Sequence, residues 1–434
     1  MPLLSAPAAS LIFPKVCQFP NGLTVIAEQM PLEVVNLSLW LRVGSAVESD
    51  AINGMAHFLE HMTFKGTKEL GCGEFERRVE ERGALTNAAT SQDYTKYYIT
   101  TAPQDFAALA PLQIQLALNP RLSDEDFERE RPVILEEIRR AEDNPQRRTH
   151  ARSMELGFER LPYRRPVLGP ATVIEHLTPE QMRDFHQTWY QPQHMTAVAV
   201  GNLPVDQLIE IVAQGFERAL SQHPPRTIDS IPFIQPFPGG YDREAPFRDI
   251  TRVVESDPNL TQARLILTWR VPGITDGQDT YALDILASVL GRGRTSRLVS
   301  DLRENRHWVS SIGSSNMTLA HQGLFIVSAR LEPEYLDQVE AAIADHVRQL
   351  TEIPVSLGEL RRVQTQVTNR FIFANETPGE RAGLYGYYHT LTGDIGEGLH
   401  YPERIQALTV EDLQAAAQRY LCPSAYGLVV LQPA

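Results

Sequence analysis

The stretch Gly54 to Phe64, GMAHFLEHMTF, carries the strongest local pattern in the chain. Three of its apolar residues are spaced i, i+4 and i+7, namely Met55, Leu59 and Met62. This spacing is typical of the buried stripe of an α-helix. His57, Glu60 and His61 then fall on another face of the helix. The stretch therefore predicts a helix that presents two imidazoles and one carboxylate close together.

The two histidines of this H-x-x-E-H pattern are four residues apart, so both can reach one metal ion. A catalytic zinc site takes three protein ligands and leaves the fourth position to water, and two histidines with one carboxylate is an established set. The acidic pair Glu136 and Glu137 supplies candidates for the third ligand. Glu60 adjoins His61, so its natural role is to take a proton from a zinc-activated water. The pattern predicts a metallopeptidase with Zn²⁺ as cofactor.

Three runs of the sequence resemble the pitrilysin family of inverted-zincin peptidases. They are HFLEHMTFKGT (57–67), GALTNAATSQDYTKYY (83–98) and ERERPVILEEI (128–138). The resemblance is strongest to the small two-domain branch that includes the catalytic subunit of mitochondrial processing peptidase, and it extends through the second half of the chain. It implies a zinc-dependent endopeptidase that cleaves unfolded peptides or leader peptides.

The resemblance implies that His57 and His61 share their ion with a glutamate at the distance where Glu137 stands. Glu136 is the competing assignment. Glu130 lies seven residues before Glu137, two helical turns away on one face, and the family pairs its ligand with an upstream glutamate there. Glu130 is therefore expected to support the site or to exchange a proton in catalysis. Pro132 lies between the two glutamates and predicts either a second helix starting near it or a bend.

The run Gly83 to Tyr98 is rich in Thr and Tyr, which predicts a strand with an accessible edge. In the resembling enzymes this strand pairs with the substrate backbone, a mode of binding that depends weakly on side chains. Asn87 and Ala88 are the candidate substrate-binding residues.

A motif of the family's second domain is matched by residues 293–303, GRTSRLVSDLR. The resemblance implies that Arg303 helps to hold the substrate carbonyl, together with a tyrosine seven residues later. That position is Ser310, so we expect a heterodimer with a related, zinc-less subunit that carries the arginine-tyrosine pair. A homodimer of reduced efficiency is the remaining possibility. Candidates for an intramolecular substitute are Tyr385, Tyr387 and Tyr388.

The chain contains an internal repeat. Residues 178–192 resemble residues 409–423 at an offset of 231, and LSLWLRV (37–43) resembles LILTWRV (265–271) at an offset of 228. Two related halves follow, of which the second lacks H-x-x-E-H. Short strands among longer helices predict an α+β fold in which each half is a mostly antiparallel sheet covered by helices.

The proline-rich stretch from 223 to 246 is the natural linker between the halves, because proline and glycine interrupt regular structure there. We place the boundary near Pro236. The predicted domains are a zinc-bearing catalytic domain over 1–222 and a homologous non-catalytic domain over 247–434.

Composition excludes several classes of function. The net charge of −14 argues against a nucleic-acid partner, which would require a basic face. Three cysteines are too few for a disulfide framework and fit a reducing compartment. The chain contains no apolar run of about 18 residues, so no membrane-spanning helix is expected. Its first residues do not show the pattern of a secretory signal. We expect a cytoplasmic protein of bacterial type, or one of an organellar matrix if a leader has been removed.

The alternative function is that of an inert scaffold, because relatives of this fold serve as core proteins in a respiratory complex. That alternative predicts a decayed zinc motif. The four residues that the motif requires are all intact here: His57, Glu60, His61 and Glu137.

Overall fold

A computed structural model describes residues 14–222 and 242–434 of the chain. Its strands are β1 (Lys15–Gln18), β2 (Thr24–Gln29), β3 (Val35–Leu41), β4 (Leu85–Thr90), β5 (Thr95–Thr101), β6 (Met195–Gly201), β7 (Thr251–Asp257), β8 (Ala263–Pro272), β9 (Val309–Met317), β10 (Gln322–Leu331) and β11 (Gly427–Pro433). The helices of the first half are α1 (Met55–Thr63), α2 (Glu74–Glu80), α3 (Phe106–Leu118), α4 (Asp124–Asp143), α5 (Pro145–Gly157), α6 (Ala171–Ile174), α7 (Pro179–Trp189) and α8 (Val205–Gln222). Those of the second half are α9 (Gln278–Gly291), α10 (Leu336–Glu352), α11 (Leu357–Phe373), α12 (Pro378–Thr392), α13 (Gly396–Leu399), α14 (Tyr401–Ala407) and α15 (Val410–Tyr420), with a π-helix at Val299–Asn305.

The strands form two sheets that share one five-strand order, to which the first sheet adds β1 at its edge. The first has the order β1-β2-β6-β3-β5-β4, and the second has the order β7-β11-β8-β10-β9. Each contains one parallel pair, β2 with β6 and β7 with β11, and its other pairs are antiparallel. The prediction of an α+β fold with two homologous halves is confirmed. Most of the predicted linker, residues 223–241, lies outside the described residues, so the boundary near Pro236 stays a prediction.

The repeat at offset 231 corresponds to two helices that begin in the same way. The side chain of Thr178 caps α7 and forms a reciprocal capping box with Gln181. Thr409 caps α15 and forms the same box with Asp412. Each box satisfies backbone N–H groups that the first helical turn leaves without partners. Both helices therefore begin at the residue that the local sequence specifies.

The two halves exchange helices. Helix α5 of the first half packs on β8 and β11 of the second sheet, and α12 of the second half packs on β3 and β6 of the first sheet. The apolar cluster around α5 joins Met154, Phe158 and Leu161 to Ile266, Leu324, Ile326 and Val429. The cluster around α12 joins Ala382 and Tyr385 to Ile26, Trp40, Val198 and Val200. Both halves therefore depend on apolar contacts across their boundary.

Helix α4 is continuous from Asp124 to Asp143, so of the two expectations for Pro132 the second helix is wrong, and the bend stays a prediction. Proline removes one backbone hydrogen bond, but packing can hold the remaining turns in place. The ring of Phe58 in α1 stacks on that of Phe127 at 4.4 Å and fixes α4 against the histidine helix.

The run from 83 to 98 forms a hairpin, so the expectation of one strand is wrong. Strand β4 pairs with β5 in antiparallel register, with Leu85 opposite Thr100 at one end and Thr90 opposite Thr95 at the other. Ser91 closes the turn by donating its N–H to the carbonyl of Tyr94 at 2.8 Å. Strand β4 lies at the edge of the first sheet, as the expectation of an accessible edge requires. In the described ranges, no helix is both long and apolar enough to cross a bilayer.

Candidate metal centre

A buried carboxylate fixes the start of α1. Glu48 accepts hydrogen bonds from the backbone N–H of Gly54 at 2.8 Å, from that of Ala56 at 2.7 Å and from the Asn53 amide at 2.8 Å. Gly54 has a φ of 98°, and a Cβ there would lie 2.6 Å from the carbonyl oxygen of Leu168. Burial raises the pKa of Glu48 to about 7. These contacts fix the register in which the helix presents its histidines.

His57, His61 and Glu137 converge in space. The Nε2 atoms of both histidines lie 3.5 Å from the same Glu137 oxygen, Oε2, and the three potential ligand atoms all lie within 4.8 Å of one another. His57 is buried, and its Nδ1 has no hydrogen-bond partner among the described residues. Two imidazole nitrogens and one carboxylate oxygen are a donor set that suits zinc.

Glu130 orients His61 from the opposite side of the ring. Its carboxylate lies 3.0 Å from His61 Nδ1 and accepts from Lys65 Nζ at 2.6 Å. Burial lowers the pKa of His61, but the carboxylates of Glu130 and Glu137 outweigh this and raise it to about 9. Burial and the neighbouring His61 lower the pKa of His57 to about 4. A carboxylate on the outer nitrogen of a histidine directs the other nitrogen at a metal.

Glu60 faces the same space from α1. Its Oε2 accepts a hydrogen bond of 2.5 Å from the hydroxyl of Thr90, at the end of β4. Burial raises the pKa of the Glu60 carboxyl, which favours proton uptake by a general base. The sequence analysis missed Thr90 and Lys65. Thr90 belongs to the run 83–98 from which Asn87 and Ala88 were chosen, so it could have been considered. Lys65 lies four residues after His61, a spacing that could also have been noticed in the sequence.

The two neighbouring glutamates of α4 face different surroundings. Glu136 is half-buried and pairs with Arg139 at 2.8 Å and with Arg140 at 3.0 Å. These guanidiniums lower the pKa of Glu136 to about 2. Glu137 faces the two histidines instead. The structure therefore brings Glu137, and not Glu136, to the histidine pair.

A cleft of about 1180 Å³ is lined by His57, Glu60, His61 and Glu137. Its other walls are α5 and the segment 164–170. Ala88 of the edge strand β4 lines the cleft, whereas Asn87 does not. Asn87 is exposed, and its side-chain oxygen accepts from the N–H of Ala88 at 2.9 Å. Of the two predicted substrate-binding residues, only Ala88 lines the cleft, together with its neighbours Ala89 and Thr90.

Arg303 is not brought to the cluster. It lies in the π-helix, pairs with Glu304 at 2.7 Å and is absent from the cleft lining. The tyrosines proposed as substitutes do not line the cleft either. Tyr385 donates to Glu28 at 2.7 Å and Tyr387 donates to the carbonyl of Thr318 at 3.0 Å. Within one chain, the described residues place no arginine-tyrosine pair beside the histidines.

The fold and the cluster define a two-domain protein of the inverted-zincin peptidase class. Residues 23–171 match the family described as Insulinase (Peptidase family M16), and residues 176–367 match the Peptidase M16 inactive domain. The chain belongs to this M16, or pitrilysin, family. The inactive-domain match agrees with the absence of H-x-x-E-H from the second half.

Similar proteins span nearly the whole chain. An uncharacterized zinc protease of Mycobacterium bovis is 29% identical over 98% of this chain and 94% of its own length. The zinc protease PqqE of Helicobacter pylori is 28% identical over 95% of this chain and 91% of its own length. The crystal structure of a protease from Helicobacter pylori superposes with a TM-score of 0.88 at 26% identity, covering 97% of this chain and 99% of that one.

Proposed function

We propose that this chain is a zinc-dependent endopeptidase with His57, His61 and Glu137 as its zinc ligands. The observation that carries the proposal is the approach of both Nε2 atoms to one oxygen of Glu137, in a cleft that Glu60 also lines. When bound, zinc supplies a Lewis acid that polarises a peptide carbonyl and makes a water nucleophilic at neutral pH.

Glu60 acts as the general base and then as the general acid. The bond from Thr90 occupies Oε2, so Oε1 is the oxygen that accepts the proton from the attacking water. A carbon–oxygen bond then forms at the peptide carbonyl. Glu60 returns the proton to the amide nitrogen as the carbon–nitrogen bond breaks, which releases an amine and a carboxylic acid.

The substrate binds as an added strand on the free edge of β4. This edge adjoins the cluster through Ala88, Ala89 and Thr90, which line the cleft. Backbone pairing requires an extended segment and tolerates many side chains. Unfolded peptides and leader peptides are therefore the proposed substrates.

The active assembly contains a second, zinc-less subunit that supplies the arginine-tyrosine pair. Two observations support this part of the proposal, namely the position of Arg303 outside the cleft and the presence of Ser310 where the tyrosine is expected. A donor aimed at the developing oxyanion contributes about 3 kcal/mol to catalysis, so a chain without it gains activity from such a partner. A homodimer is the alternative assembly.

The test combines zinc content with peptide hydrolysis in Glu60→Gln. The variant keeps the three proposed ligands, so it should retain stoichiometric zinc while kcat/KM falls by about 10²- to 10⁴-fold. Glu142→Gln is the matched control, because Glu142 lines the same cleft and has no role in the proposed reaction. Activity is measured alone and with zinc-less relatives from the same source. Full activity of Glu60→Gln would contradict the proposed base, and an inert zinc-loaded wild type in every mixture would favour the scaffold.

A further inference from the structure

A second cavity lies between the start of α5 and the second sheet. Its volume is about 400 Å³, and it is lined by the guanidinium-bearing residues Arg264 of β8 and Arg330 of β10. Polar side chains of α5 and of the sheet also line it: Gln146, Thr149, Ser311 and Ser328. No aspartate or glutamate lines this cavity in the described ranges.

The two arginines are direct cross-strand neighbours. Arg330 pairs in register with Arg264 in the antiparallel β8–β10 ladder, so both side chains point to the same face with Cβ atoms about 5 Å apart. Like charges in this position are destabilising. Burial and the charge of Arg330 lower the pKa of Arg264. The chain therefore maintains a concentrated positive charge at a cost in stability.

Neither arginine belongs to an ion pair within the described part of the chain. Other arginines of the same interface contrast with them. Arg148 of α5 pairs with Asp257, and Arg152 pairs with Glu255 at 2.6 Å. In a protein with a net charge of −14, this half-buried and exposed arginine pair without a carboxylate partner is available to an anion from outside the chain.

Ser310 orients Arg330. The Nε of Arg330 donates to the Ser310 hydroxyl at 2.9 Å, and that hydroxyl donates to the Arg330 carbonyl at 3.0 Å. The serine that stands in place of the expected tyrosine thus fixes one guanidinium nitrogen. The terminal nitrogens of Arg330 have no acceptor among the described residues, and a guanidinium fork suits the two oxygens of a carboxylate.

The arginine cavity and the catalytic cleft border the same helix. Gln146 and Thr149 of α5 line the cavity, while Arg147 and Ala151 of the same helix line the cleft. A helix is about 10 Å wide, and an extended peptide advances about 3.3 Å per residue. An extended peptide that leaves the cleft and passes around the start of α5 would therefore need about three or four further residues to span the width of the helix.

We propose that Arg264 and Arg330 form a subsite for a carboxylate of the peptide substrate. The carboxylate comes from the substrate's C-terminus or from an acidic side chain a few residues from the cleaved bond. This inference rests on the proposed peptidase function and adds a substrate class to it, namely peptides that carry a negative charge on one side of the scissile bond.

The first experiment measures binding without hydrolysis, in the zinc-loaded Glu60→Gln protein. The probes are one fluorescent extended peptide with a free C-terminus and an internal glutamate, the same peptide with a C-terminal amide, and the same peptide with glutamine for the glutamate. Adding Arg264→Gln or Arg330→Gln should weaken binding of the parent peptide by about 10-fold, since hydrogen bonds to charged groups are strong. One modified peptide should bind equally well with and without the arginine substitutions. The carboxylate that this peptide lacks is the one that the subsite recognises.

Controls separate the subsite from folding and from catalysis. Arg361→Gln removes an exposed arginine of α11 outside the cavity and should leave binding unchanged. Arg330→Lys keeps the charge and should restore part of the affinity. In the hydrolysing enzyme, the arginine variants should raise KM for the parent peptide about 10-fold and preserve kcat.

The subsite is overturned if the arginine variants bind all three peptides as the parent protein does, or if they weaken all three equally. Failure of the peptidase proposal looks different. Carboxylate-dependent binding by a protein that hydrolyses nothing would retain the subsite and reject the proposed reaction.

Discussion

Two adjacent residues of α4 show how little sequence separates a proposed ligand from a surface charge. Glu136 and Glu137 are one residue apart, which rotates their side chains by about 100° around the helix. Glu137 faces the histidines and Glu136 faces Arg139 and Arg140. The side-chain direction alone therefore assigns them different roles.

Exchange of Glu137 for Gln should abolish stoichiometric zinc binding, because it removes the charged oxygen that both histidines approach. We expect zinc affinity to fall by at least about 100-fold, more than for loss of an outer partner. Metal analysis after competition with a chelator measures the change. Glu136→Gln is the matched control and should keep its zinc. Equal zinc retention in both variants would reject Glu137 as the ligand.

At the level of residues, the sequence was sufficient to predict those contacts of the site that depend only on local spacing. His57, Glu60 and His61 lie in one helical segment, so their proximity follows from helix geometry. The contact between Thr90 and Glu60 depends on how β4 docks beside α1, and no spacing in the sequence records that. The choice of Ala88 over Asn87 also depended on strand register.

At the level of elements, α12 meets the first sheet through a glycine. A Cβ on Gly386 would lie 2.0 Å from Nε1 of the buried Trp40 in β3. The indole is rigid and enclosed, so the helix or the sheet would have to move. This close approach explains why a residue without a side chain stands at the centre of the contact.

Gly386→Ala should therefore destabilise the protein by about 2 kcal/mol, as overpacked cores do, despite the better helix propensity of alanine. Gly383→Ala in the same helix is the matched control, since a Cβ there meets nothing within 4 Å. We expect it to be neutral or to stabilise by about 0.5–1 kcal/mol. Denaturant unfolding measures both. A Gly386→Ala protein as stable as the control would contradict the tight contact.

Helix positions were predictable because apolar periodicity and capping residues are local signals, as Thr178 and Thr409 show. The two errors came from signals that neighbours override. Pro132 predicted a second helix or a bend, and the second helix is wrong because α4 is unbroken where Phe127 stacks on α1. The run 83–98 looked like one strand, because the residues on both sides of its turn have the same composition.

At the level of the whole molecule, a buried carboxylate joins the two halves beside the β4–β5 hairpin. Asp93, in the β4–β5 turn, accepts from the Tyr163 hydroxyl and from the N–H of Ala320, both at 2.8 Å. Ala320 lies in the β9–β10 turn of the second half. Tyr163 in turn accepts from the N–H of His321 at 3.0 Å. The strand proposed to bind substrate is thus tied to the opposite sheet.

Burial raises the pKa of Asp93 to about 6 in the folded protein, against about 4 in an unfolded chain. Since the folded state binds this proton more tightly, the contribution of Asp93 to stability is largest at low pH and is lost as pH rises through about 6. Asparagine does not titrate. The cost of Asp93→Asn in unfolding free energy should therefore be about 1 kcal/mol larger at pH 5 than at pH 7.5.

Denaturant unfolding at both pH values measures this difference. Asp249→Asn, at an exposed position of the second half, is the control and should show the same small effect at each pH. A pH-independent cost of Asp93→Asn would show that this carboxyl does not titrate in the range given.

The duplication was visible in the sequence, because both copies keep the same capping and strand patterns. The exchange of α5 and α12 was not, since an apolar helix face does not specify which of two similar sheets it will cover. Arg303 illustrates the same limit, because its distance from the cleft depends on how the halves assemble.

The reciprocal exchange of α5 and α12 also bears on the origin of the chain. If the halves were separated, each sheet would lose the helix that covers one face, and only a second copy could replace it. Such an arrangement is that of a domain-swapped dimer whose subunits have been joined. The ancestral gene product would then have been an obligate pair, and fusion freed one copy to lose its metal motif while the other kept it.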